Sequence, residues 1–79
     1  MEFNANEQRV KEKLDFFMQE RVSVHVKLKN LTFVNGIILR QIKENVYWLK
    51  ENKLGEIFLF IKDIFDVDEF REVNGNGSV

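Results

Sequence analysis

From Glu20 to Ile38 the chain alternates between apolar and polar residues. Val22, Val24, Val26 and Leu28 fall on one face; Ser23, His25, Lys27 and Lys29 fall on the other. A period of two predicts a half-buried strand, here about 21–29. Lys29-Asn30-Leu31 turns the chain, and the alternation resumes in a second strand over about 32–42. Gly36 interrupts that strand, and a glycine inside a strand marks a sharp bend. Lys43-Glu44-Asn45 is a short polar break before a third strand, 46–50, dense in strand formers. Glu51 to Gly55 reads as a turn, with Gly55 free to take positive φ. A fourth strand over 56–62 and a fifth over 64–67 meet at a corner formed by Lys62 and Asp63.

Upstream the period changes. Val10, Leu14, Phe17 and Met18 recur at helical spacing and predict a helix over 4–19. Asn4, with Glu7 three residues later, resembles a capping box. A helix this short needs a sheet to lie on. The chain therefore reads as a single domain, 4–70, with 71–79 expected to be a disordered tail. Consecutive hairpins imply antiparallel pairing. The predicted class is mainly β with one N-terminal helix: a small, strongly bent five-stranded antiparallel barrel, which deals with exposed strand edges. Strand four is apolar on both faces, with Ile57, Leu59 and Ile61 on one and Phe58 and Phe60 on the other. Its second face needs cover from the helix or from another subunit.

Composition narrows the chemistry. The chain has 79 residues, 44% of them hydrophobic, including eight Phe, one Trp and one Tyr. A domain of this size buries only ~60% of its extended surface, so part of that apolar content is expected to face a partner chain. Tyr47 and Trp48 point to opposite faces, so one belongs to the core and the other faces an interface or the helix. With no Cys and one His, a catalytic triad, a Cys–His pair and a zinc site all lack parts. No enzyme activity, metal, cofactor or small-molecule substrate is expected. His25 reads as a solvated surface residue. There is no 18-residue apolar run and no signal-peptide core, so a soluble, cytoplasmic chain with no membrane partner is expected.

The net charge of −1 hides a gradient. Residues 21–62 hold eight basic and three acidic groups, while both flanks are acidic. A basic body suits a phosphate backbone, although lysines also belong on any solvated strand face. Asp63, Asp66, Asp68 and Glu69 lack the glycine and spacing of a calcium loop and read as a solvated acidic end.

Glu20-Arg21-Val22-x-Val24, Leu28-x-Asn30, Val34-x-Gly36-x-Ile38, Val46-Tyr47-Trp48-Leu49 and Phe60 through Ile64 with Val67 occur in an order and spacing that resembles the Sm-like (Lsm) family. The likeness is greatest to its bacterial branch, the Hfq-type RNA chaperones, and covers about residues 7–68. It implies a bent barrel capped by the helix, and a ring of six or seven copies in which strand four of one pairs with strand five of the next. The sequence departs from the family at the first turn, where Asn30-Leu31 replaces Asn-Gly or Asp-Gly. The segment after strand two carries one extra residue in place of the usual aspartate. Phe60-Ile61-Lys62 stands where Hfq has Tyr-Lys-His, and Lys27 stands where Hfq has a tyrosine.

The resemblance implies a non-catalytic protein that binds single-stranded RNA where two loops meet around the pore. Lys43 and Asn45 come from the loop before strand three, and Lys62 from the corner after strand four. Asn45 offers hydrogen bonds to a base edge, and Lys62 a cation to phosphate. Gln8 and Arg9, near the helix start, could flank the same mouth. Phe58, Phe60, Ile64 and Phe65 are the candidates for the ring interface. The residues also leave open a protein-interaction scaffold without RNA binding, or a small DNA-binding barrel.

Overall fold

The computed structural model describes residues 2–71. The expected tail lies, beyond Arg71, outside the described residues. The helix α1 spans Ala5–Glu20, and five strands follow: β1 Ser23–Leu28, β2 Phe33–Lys43, β3 Val46–Glu51, β4 Gly55–Phe60 and β5 Ile64–Glu69. A single 3₁₀ turn, Ile61–Asp63, joins β4 to β5. The helix starts as its sequence predicts. The Asn4 side chain accepts from Glu7 N at 2.8 Å, and the Glu7 carboxylate accepts from Asn4 N at 3.1 Å. This capping box satisfies two donors that a helix N-terminus otherwise leaves unpaired.

All strand pairs are antiparallel, in the order β4-β3-β2-β1-β5. β2 is the spine of the sheet. Its first half, Phe33–Ile37, pairs with β1, and from Gly36 onward it pairs with β3. Gly36 sits at this handover because the backbones nearly touch there: a Cβ would lie 2.1 Å from the Lys50 carbonyl oxygen. The sequence marked Gly36 as a bend; what the structure shows at this position is the close approach of two backbones. Gly55 serves the other purpose of glycine, a left-handed φ of 83° in open space.

The core lies between the helix and one face of the sheet. Val10 and Leu14 from α1 pack with Val24, Val26, Val34, Ile38, Tyr47, Leu49, Leu59, Ile61, Ile64 and Val67. Alternation in β1 follows the sequence, with Val24 and Val26 fully buried. Of the adjacent aromatics, Tyr47 is the core residue and Trp48 faces outward, half-buried.

Polar contacts fix the helix to both wings of the sheet. Tyr47 OH donates to Asp15 Oδ1 at 2.5 Å and accepts from Lys11 Nζ at 3.0 Å. Burial and the Asp15 bond push the Tyr47 phenol up to about 12. Burial works against the charge of Lys11, but bonds to Tyr47 and Asp15 outweigh it and raise its pKa. On β5, Lys13 bridges Asp66 at 3.1 Å and Asp68 at 3.2 Å. The acidic end is thus not simply solvated, since two of its carboxylates tether α1. Burial opposes the charge of Asp66, yet Lys13 and the Val67 amide hold its carboxyl below the usual range.

Candidate nucleic-acid interface

Two turns meet at one end of the sheet. Glu44 and Asn45 form the β2–β3 turn, where the Gln41 amide donates to the Glu44 carbonyl at 3.1 Å. The 3₁₀ turn crosses beside it, and Ile61 N donates to Asn45 O at 3.0 Å. That bond joins the turn that carries Asn45 to the turn that carries Lys62. Lys43 and Lys62 are exposed and Asn45 is half-buried. On its other side the 3₁₀ turn is held by Lys29 N, which donates to Asp63 O at 2.9 Å. A cavity of about 380 Å³ lined by Leu28, Lys29, Asn30 and Asp63 opens there.

Gln8 and Arg9 each have polar partners of their own. Gln8 donates to Glu12 at 3.1 Å. Arg9 donates to Asn6 at 2.9 Å and lies 3.6 Å from Asp66 on β5. Their side chains are engaged along the helix and with β5.

Of the apolar candidates, Phe58, Phe60 and Phe65 are exposed by 58%, 42% and 59%. The side chain of Ile64 is fully buried in the subunit's own core. The reason is a slip in the β1–β5 ladder, in which Lys27 faces Asp66 and Leu28 faces Ile64. Phe65 is skipped, bulges out and becomes the side chain that β5 presents. β4 and β5 end the hydrogen-bonded order, and among the described residues no ladder joins them to each other.

Sequence reasoning missed three features. His25 is half-buried, not solvated: its Nδ1 lies 2.5 Å from Asn35 Oδ1 and its ring 4.9 Å from that of Phe33. It lines an apolar cavity of about 570 Å³ with Leu28, Leu31, Phe33 and Phe65. Leu31 adopts a left-handed φ of 73° with its side chain 93% exposed, where the family pattern carries glycine. Glu51 is buried, and its carboxylate accepts from the amides of Asn35, Lys53 and Leu54 at 2.7 to 3.0 Å. These bonds hold its pKa below the usual carboxylate range. An acid at the first position of a turn ending in glycine was the available signal for this cap.

Comparison with protein-family models, with curated proteins and with solved structures gives no match. Among the described residues, no helix is long and apolar enough to cross a membrane.

Proposed function

We propose that this chain is a non-catalytic, Sm-like RNA-binding protein whose sheet curls into a barrel. Copies assemble into a ring of six or seven and hold single-stranded RNA at their pore-facing loops. The observation that supports the reading is the bond from Ile61 N to Asn45 O, which joins the two turns on which Asn45 and Lys62 lie. A half-buried amide and two exposed cations are suited to a base edge and to phosphate. The free edges of β4 and β5, with Phe60 and Phe65 beside them, support assembly, because unpaired strand edges invite another chain. The extra residue relative to the family pattern has a place to go, since the β2–β3 ladder slips between Gln41 and Lys43.

Native mass spectrometry and RNA binding test the proposal together. A mass of six or seven times 9.5 kDa, with oligo-U bound and affinity falling steeply with salt, is the expected result. Lys62→Ala weakens oligo-U binding and leaves the mass unchanged. A single 9.5 kDa species at working concentration overturns the ring, and with it the pore site. Rings that bind neither oligo-U nor oligo-A point to the scaffold reading, which the apolar cavity beside Leu31 and Phe33 favours.

A further inference from the structure

The outer face of β2, β3 and β4 carries a row of side chains that the loop cluster does not use. Arg40, Trp48 and Phe58 stand side by side on three neighbouring strands. The Arg40 guanidinium carbon lies 5.3 Å from the centroid of the Trp48 ring. The Trp48 and Phe58 rings are 6.4 Å apart and tilted by 44°. Arg40 and Phe58 are exposed, and Trp48 is half-buried. Lys50 follows Trp48 by two residues on β3, so it shares this face. At the other end Lys43 borders a cavity of about 240 Å³ with Ile42, Val46, Phe58 and Phe60. Glu56 stands opposite Lys50 and sets the anionic limit of the strip.

Aromatic planes flanked by cations match the two halves of an unpaired nucleotide. The bases stack on the rings, and the phosphates lie against the cations. A purely apolar partner would make use of the rings but would have to bury Arg40, Lys43 and Lys50 beside them. We propose that this strip is a second binding surface for single-stranded RNA, with bases on Trp48 and Phe58 and phosphates at Arg40, Lys43 and Lys50. It rests on the RNA reading above and extends it to a face outside the loops. Lys43 stands at the corner of both, so one strand passes from the loop cluster onto the sheet.

Trp48 is the only tryptophan of the chain, so its emission reports on this face alone. The full chain is titrated with labelled oligo-U and oligo-A, following anisotropy for total binding and Trp48 emission for stacking. Quenching that saturates in step with anisotropy is expected. Trp48→Ala, checked for folding by circular dichroism, raises Kd at least about fivefold, while Trp48→Phe keeps most of the affinity. Arg40→Gln, an exposed change that leaves the core untouched, lowers the salt slope by about one. Saturating anisotropy with unchanged Trp48 emission and a wild-type Arg40→Gln overturns the strip and leaves the loop site standing. Quenching that survives while Lys62→Ala binds like wild type overturns the loop site and leaves the strip. No anisotropy change with either RNA overturns both.

Discussion

Gly36→Ala isolates the close approach of β2 to β3. The new Cβ would lie 2.1 Å from the Lys50 carbonyl oxygen and 2.8 Å from Glu51 Cα. Both are backbone atoms of β3, so no side-chain rotation relieves the overlap. The φ of Gly36 lies outside the left-handed region, which makes the cost one of space alone. Reaching an ordinary separation of ~3.5 Å requires β2 and β3 to part by more than an ångström. Forcing a methyl into a packed site costs about 1–3 kcal/mol. Parting the strands also strains the 2.9 Å bond from Asn52 N to Asn35 O, and a backbone bond contributes roughly 0.5–1.5 kcal/mol. The expected loss is about 2–4 kcal/mol, a large share of the roughly 4–12 kcal/mol available to a domain this size. Urea unfolding followed by circular dichroism measures it. Gly55→Ala is the control, because Gly55 has a φ of 83° and nothing within 4 Å of a new Cβ. It carries backbone strain of only ~1 kcal/mol. If Gly36→Ala stays within 1 kcal/mol of wild type, or costs less than Gly55→Ala, the steric account of Gly36 is wrong.

Three further outcomes follow from the polar contacts and the exposed edge. Tyr47 has a raised pKa, so its share of stability is present below pH 10 and disappears as pH rises through about 12. Urea midpoints at pH 9 and pH 11.5 should differ more for wild type than for Tyr47→Phe, which itself loses about 1–2 kcal/mol at neutral pH. Glu51 is depressed, so its contribution is present above pH 4.5 and fades as pH falls through the lowered value. Glu51→Gln should flatten that acid limb and speed amide exchange at Lys53 and Leu54; unchanged exchange would remove Glu51 as the cap of the turn. Phe60→Asp places a charge on a side chain that is 42% exposed, so the subunit should still fold while its native mass falls. Assemblies of wild-type size would remove β4 from the seam.

The sequence carried the features whose causes are local. The capping box of Asn4 and Glu7 and the alternation of β1 were legible, because each constraint lies within a few residues; Gly36 stood out only as a break in a strand pattern, since what it makes room for lies on β3. What escaped depends on partners distant in the chain. Lys13 meets Asp66 across 53 positions, and the His25 ring meets Phe33 on the neighbouring strand. In β5 the ladder slip exchanges the roles of two adjacent apolar residues, sending Ile64 inward and Phe65 outward. Periodicity cannot resolve that when both residues are hydrophobic. Leu31 gave no sign of its left-handed backbone, because leucine is not a residue that favours it. Within the candidate site, only the family resemblance suggested that the turns bearing Asn45 and Lys62 would meet, as the bond from Ile61 N to Asn45 O has them do. The row of Arg40, Trp48 and Phe58 needed the register of three strands before it could be seen.

A sheet that ends in β4 on one side and β5 on the other is a directional building block. In the proposed assembly, a copy docking head to tail would cover one terminus and offer an identical one, so such a process would carry no stop signal of its own. Only geometry ends it: if the rotation per step divides a full turn the chain of copies closes, and otherwise it grows into a helical fibre.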